Sequence, residues 1–371
     1  MSNSGGGGRD DDDHQNKVAS FRTVFESSLS DIAARTDPST RCIVLSGGVD
    51  TCAILSAARE LGIAFGGALT VITGDDSPDG GFSAACAAEH GIPHHVVRLT
   101  SDELVAQYLP EVVELLRIYN GMLIRNSLVI AAVFKKAAEL GFKDAVVGDG
   151  ADELFGGYSF MWAHKDPAAW REKRDSMCAK WTFSTEELAG KYGIASHSPY
   201  CETKTKDWAI ANTERWDCIG TRPIRLVYGG EFAELETGKI ILREAYDTVS
   251  SWRRKDPIEV GSGVTVIGHD PYWKERISDD EFESESKSLL ERGYIIDRKE
   301  QLANFRAFEE IFGTDGIECG RKRLSIGRGC VGCCFEIGDA LFCHMCGAYP
   351  AQRSVVEGTA VDADADAAES G

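Results

Sequence analysis

The sequence predicts an α/β fold in which a parallel sheet is covered by helices, followed by a mostly helical second half and a small cysteine-bearing terminus. Three observations carry this expectation. From about Ser20 to Tyr158 short apolar runs alternate with helical stretches; from about Ala168 to Phe312 the chain becomes richer in charge and tryptophan; and Cys319, Cys330, Cys333, Cys334, Cys343 and Cys346 crowd into one short stretch. Alternation of strand and helix implies parallel strands joined by crossovers, with ligands at the carboxyl ends of the strands.

The elements follow in order. Ile43-Val44-Leu45 reads as a first strand, ending in Ser46-Gly47-Gly48, with a helix running to Leu61 and stopped by Gly62. A second strand, Ala68 to Thr73, precedes a helix from Ser83 to His90, stopped by Gly91. His95 to Leu99 reads as a third strand, and Thr100-Ser101-Asp102-Glu103 has the form of a capping box opening the next helix. A helix from Asn126 to Leu140 ends at Gly141, and Ala145-Val146-Val147 makes a fourth strand. The expected divisions are an acidic disordered tail over 1–18, an α/β domain over 19–160, a helical part over 161–314, a cysteine-bearing segment over 315–352 and a second acidic tail over 353–371.

Composition narrows the function classes. A chain of 371 residues with 43% hydrophobic and 27% charged residues can bury one large core or two. No apolar run approaches the roughly 20 residues of a membrane helix, and the N-terminus, with four glycines and Asp10 to Asp13, is no signal peptide; a cytoplasmic enzyme is expected. The net charge of −19 argues against broad nucleic-acid binding, which needs clustered Lys and Arg. Cys42, Cys52, Cys86, Cys178, Cys201 and Cys218 are spread among core elements and read as small buried hydrophobes.

Two motifs carry chemistry. Ser46-Gly47-Gly48-Val49-Asp50-Thr51 lies between a strand and a helix, where two glycines let backbone approach an anion and the helix start offers free N–H groups. Ser46 and Thr51 add hydroxyls, and Asp50 can hold magnesium against phosphates. The loop has neither the lysine of a Walker A motif nor the spacing of a dinucleotide site; alone, it could also be a tight turn without a ligand. It is joined, however, by Gly148-Asp149-Gly150-Ala151-Asp152-Glu153 at the end of the fourth strand, continuing to Tyr158. Three carboxylates within five residues are costly unless a cation sits beside them.

The first motif resembles the pyrophosphate (PP) loop of the N-type ATP pyrophosphatases, and the second resembles the signature of the asparagine-synthetase synthetase domain, shared with β-lactam synthetases. Ser77-Pro78-Asp79, His94-His95, the run Thr237-Gly238-Lys239-Ile240-Ile241-Leu242-Arg243 and the run Trp252-Arg253-Arg254-Lys255 follow the family's order, so that the likeness spans about Phe21 to Phe312. The resemblance implies an adenine nucleotide alpha hydrolase-like fold, with ATP and magnesium as cofactors. It implies that Ser46, Gly47, Gly48, Asp50 and Thr51 cradle the β- and γ-phosphates. Asp50 and Asp152 would ligate magnesium, and Leu45, Ile72 and Gly148 would contact the nucleotide. Lys255 and Asp149 would be catalytic, the lysine stabilising charge as a carboxylate attacks the α-phosphate.

The departures shape the remaining expectations. Residue 2 is Ser rather than the nucleophilic cysteine of a glutaminase, so ammonia or an amine is expected from solution or from a separate amidotransferase. Asp149 stands where many relatives carry Glu, and Ser198-Pro199-Tyr200-Cys201-Glu202 matches the family only loosely, which leaves the small-molecule carboxylate open. Cys330-x-x-Cys333 and Cys343-x-x-Cys346 have zinc-ribbon spacing and predict a closed structural zinc site, with an iron–sulfur site or a reduced cysteine cluster as the alternatives. Arg321-Lys322-Arg323 and Arg328 before it could dock a partner or form a solvated face. The sequence is compatible with a homo-oligomer. The competing reading is a PP-loop tRNA-thiolating enzyme, disfavoured by the run from Gly148 to Tyr158 and by the acidic body.

Overall fold

The computed structural model describes residues 11–352. Helix α1 (Asp11–Ala34) opens the chain and is followed by β1 (Arg41–Val44), α2 (Val49–Leu61), β2 (Gly67–Ile72) and α3 (Pro78–Glu89). Then come β3 (His94–Arg98), α4 (Ser101–Leu116), α5 (Gly121–Glu139), β4 (Asp144–Val146) and α6 (Ala151–Phe155). The four expected strands are all present, each within two residues of the boundary the sequence suggested. The capping box forms: Glu103 N–H donates to Thr100 Oγ1 at 3.1 Å, and Thr100 N–H donates to Glu103 Oε2 at 2.7 Å.

The sheet is parallel throughout and has the order β3-β2-β1-β4-β5, the last strand being Ala195–His197. The order reverses between β1 and β4, and the crevice outside that reversal is where open α/β sheets bind ligands. Both acid-bearing turns emerge there. Side-chain alternation along the strands separates two cores. Cys42, Leu69 and Ala145 face α4, α5 and the cysteine-bearing end, whereas Ile43, Ala68 and Val146 face α1, α2 and α6.

Two expectations are corrected. The acidic tail does not extend to residue 18, because α1 begins at Asp11 and packs Val18, Phe21, Phe25 and Leu29 into the core. Its three first-turn aspartates suit the positive end of the helix dipole. His14 is buried and bonds Asp217 at 2.9 Å and Glu244 at 2.7 Å, which ties this turn to the second half of the chain. Burying each phenylalanine contributes about 2–3 kcal/mol, enough to order a stretch that reads as solvated from its charges. The tail over 353–371, like residues 1–10, lies outside the described residues.

The second correction concerns the boundary at residue 160; residues 161–314 are mostly helical, as expected, but also carry strands. Their short β5 completes the main sheet, and an antiparallel hairpin, β6 (Gly220–Arg225) with β7 (Phe232–Thr237), leads into the helix Ile240–Ala245. The α/β unit therefore does not close at residue 160. Buried Arg174 joins the layers by donating to the carbonyls of Ile210 (2.9 Å) and Thr213 (2.8 Å).

Candidate active site and cysteine centre

The loop after β1 is shaped by what surrounds it. Gly47 has φ +70°, and a Cβ there would lie 2.4 Å from the Ser83 nitrogen of α3, so no other residue fits. Gly48 caps α2 without a side-chain hydrogen bond, leaving that helix start to the backbone and the ligand side. Three donors from the second half of the chain hold the loop's carbonyls: Arg253 Nη1 on Ser46 O at 2.9 Å, Ser250 Oγ on Gly47 O at 2.5 Å and Tyr200 OH on Asp50 O at 2.9 Å. Ser46 Oγ accepts the Gly48 N–H at 3.2 Å, and Thr51 Oγ1 contacts Gly48 O at 3.4 Å. Leu45, Ile72 and Gly148 stand just beyond or at the carboxyl ends of β1, β2 and β4. A Cβ on Gly148 would approach Asp50 Cβ to 2.9 Å, so the two turns touch.

The carboxylates meet there. Lys239 Nζ lies 2.8 and 2.7 Å from the two oxygens of Asp50 and 2.8 Å from Asp152 Oδ1, while Lys255 Nζ lies 3.2 Å from Asp152 Oδ2. Lys239 has no exposed side chain at all, whereas Lys255 keeps about a quarter of its surface, 26%, open to solvent. Burial alone would push the Asp152 carboxyl up, but Lys239 and Lys255 override it and hold it at about 2. Burial opposes charge on Lys255 too, yet Asp152 and Asp50 raise its ammonium above the ordinary range. Asp149 has no such cation beside it: burial, helped by Glu153, Asp152 and Asp50, pushes it up to about 6 against a Thr185 hydrogen bond.

Two residues of the candidate site were missed at the level of sequence. Lys239 belongs to a run singled out only for its resemblance, and nothing local marks its ammonium as the bridge between two carboxylates 189 and 87 positions away. Arg253 likewise belongs to a run singled out only for its resemblance, yet it is buried and ion-pairs with Asp79 at 2.6 Å. Burial lifts Asp79 to about 6 despite that guanidinium. The Ser77-Pro78-Asp79 motif thus serves the loop indirectly, by orienting the arginine that grips Ser46.

The cysteine centre is a separate site. Cys330, Cys333, Cys343 and Cys346 are buried, and their sulfurs lie within 4.8 Å of one another. The pairs Cys330–Cys346 and Cys333–Cys343 are 3.6 and 3.7 Å apart. Four sulfurs each about 2.3 Å from one tetrahedral ion would stand about 3.8 Å apart, so the set fits a single ion. A four-iron cluster would put each thiolate on a different iron and spread them wider. The Gly332 N–H donates to Cys330 Sγ at 3.3 Å, the knuckle bond that orients a thiolate. Cys334 instead contacts Gly293 O at 3.4 Å, and neither Cys319 nor His344 is in the set. The segment is fastened by Tyr119 N–H to Met345 O (2.9 Å) and Gln301 Nε2 to Cys346 O (3.1 Å).

The glycine turn and the acidic turn thus meet at the strand-order reversal of a parallel sheet, where open α/β sheets bind ligands. Residues 32–211 match the asparagine synthase family model. The chain is 25% identical over 248 residues to glutamine-hydrolysing asparagine synthetase 3 of Arabidopsis thaliana, covering 61% of this chain and 40% of that protein. It is 23% identical over 205 residues to asparagine synthetase B of Escherichia coli (strain K12), covering 52% and 33%. The chain thus spans less than half the length of these curated relatives. Among solved structures it is similar to NMN synthetase from Francisella tularensis (13% identity, 52% of this chain and 92% of that one, TM-score 0.28). It is also similar to the U34-tRNA thiolase NcsA from Methanococcus maripaludis with its [4Fe-4S] cluster (12%, 88% and 90%, TM-score 0.33). No helix among the described residues is long and apolar enough to cross a membrane.

Proposed function

We propose that the protein is a cytoplasmic ATP-dependent amide-forming ligase of the asparagine-synthetase type. The observation that carries this reading is the convergence of Asp50, Asp152, Lys239 and Lys255, from three distant segments, beneath a glycine turn whose carbonyls are tied back. In the first step a carboxylate oxygen attacks the α-phosphorus of ATP, and the bond to the β-phosphate breaks with its electron pair leaving on pyrophosphate. The loop amides with Ser46 and Thr51 hold the departing phosphates, while Leu45, Ile72 and Gly148 flank the adenosine. In the second step a nitrogen lone pair attacks the acyl carbon, AMP leaves with the C–O electrons, and the nitrogen gives up a proton. Asp149, ionised above about pH 6, is suited to take that proton. Lys255 sits where negative charge develops in both steps.

Magnesium fits this arrangement, since one ammonium already reaches oxygens of both Asp50 and Asp152; when bound, the ion would neutralise the phosphates. The four thiolates would hold zinc as a closed structural site. Ammonia, or an amine, would come from solution or from a separate amidotransferase.

The test is AMP and pyrophosphate formation with ATP, magnesium, ammonium and a panel of small carboxylates. Asp50→Ala and Lys255→Ala should each abolish AMP formation on the accepted acid. Turnover that survives in Asp50→Ala would remove the metal role. Sulfur transfer to tRNA, with no AMP formed on any carboxylate, would favour the thiolation alternative instead.

A further inference from the structure

We propose that Lys239 is a built-in cation that occupies the place between Asp50 and Asp152 and excludes free divalent metal, so that the ion enters only together with the nucleotide's phosphates. The inference rests on the reading above, in which those two aspartates face magnesium. Its basis is geometric. Lys239 Nζ lies within 2.8 Å of three carboxylate oxygens on two residues, with no solvent exposure. A divalent ion bridging the same oxygens would need that space.

The lysine's backbone is fixed, so that only its ammonium end can shift when phosphates arrive. Lys239 sits at the start of the helix Ile240–Ala245 with φ +62°, an uncommon conformation for a residue with a side chain. Its N–H donates to Phe155 O at 2.9 Å, and its carbonyl accepts from Arg243 N–H at 2.9 Å. A Cβ on Gly157 would lie 2.4 Å from Lys239 Cε, and one on Gly238 only 2.0 Å from Gly156 O. Two backbone segments are therefore pressed against the lysine and its neighbour, and glycine is required in each.

Charge balance points the same way. Asp50 and Asp152 are matched by Lys239 and Lys255, and the buried Arg243 guanidinium adds further positive potential. Asp149 and Glu153 lie near the same cluster, but the two aspartates that would face the ion are already paired with lysines, so an aqueous divalent ion would have to shed water and displace an ammonium. ATP changes the balance, because its terminal phosphates bring the negative charge and extra oxygens that a hard cation needs.

The experiment is a titration of the zinc-loaded full chain with Mn2+, followed by electron paramagnetic resonance, with and without α,β-methylene-ATP. Wild type should bind Mn2+ at least tenfold more weakly without the analogue than with it. Lys239→Met should gain a nucleotide-independent Mn2+ site, at least tenfold tighter than that of wild type. Tight Mn2+ binding to nucleotide-free wild type overturns the proposal, as does a folded Lys239→Met without the gain. Should that variant not fold, the wild-type titration decides alone. An analogue that does not bind at all removes the nucleotide reading and this proposal with it; tight free-Mn2+ binding alongside a bound analogue removes this proposal only.

Discussion

Replacing Asp152 by Asn isolates the charge that the structure places between two lysines. The folded carboxyl titrates at about 2 rather than the ordinary 3.8, so it holds its proton more weakly in the native state. The ionised form therefore favours folding: the contribution is full above pH 3.8 and is lost as pH falls through about 2. A gap approaching two pH units corresponds to about 2–3 kcal/mol. The substitution should cost about that much at pH 7, because Lys239 loses one of its two carboxylate partners and keeps Asp50. Urea denaturation of wild type and Asp152→Asn between pH 2 and 7 measures both quantities. Wild type should approach the variant's stability at the acid end, leaving a gap that opens as pH rises. A variant within 0.5 kcal/mol of wild type (about the scatter of a surface substitution) at pH 7 would refute the ion-pair geometry.

Three further outcomes follow from the same contacts. Gly47→Ala would set its methyl carbon 2.4 Å from the Ser83 nitrogen at a positive φ, so nucleotide affinity measured by calorimetry should fall at least tenfold. Arg253→Met leaves Asp79 buried without its guanidinium and frees the Ser46 carbonyl; about 3 kcal/mol of stability and a clear rise in KM for ATP should be lost and gained together. Cys346→Ala removes one of four thiolates, and elemental analysis should show metal falling from about one ion per chain, with faster proteolysis of the terminal segment.

The features legible in the sequence are those encoded within a few residues. The Ser-Gly-Gly turn, the capping box at Thr100 and the paired CxxC knuckles each carry their signal in a single short window. Two kinds of feature escaped. β5, Ala-Ser-His, is a strand only because β4 offers it an edge, and its own residues have no apolar pattern. The acids of α1 read as a tail because their value depends on the helix dipole and on His14 meeting Asp217 203 positions later. Lys239 and Arg253 belong to the same class: the residues are visible, but their buried partners lie 189 and 174 positions away. Charge in sequence suggests solvent, and only tertiary contact converts it into a site.

The donors that tie back the glycine loop after β1 set a lower limit on how short a chain can still form the candidate site. A fragment cut at residue 211, where the family match ends, would retain all five strands and both aspartates. It would shed Ser250, Arg253 and the two lysines, leaving Tyr200 as the remaining one of the three braces around an overly acidic hollow. The unit that builds the candidate site is thus longer than the recognisable one, and its second half is the tensioning side of the grip.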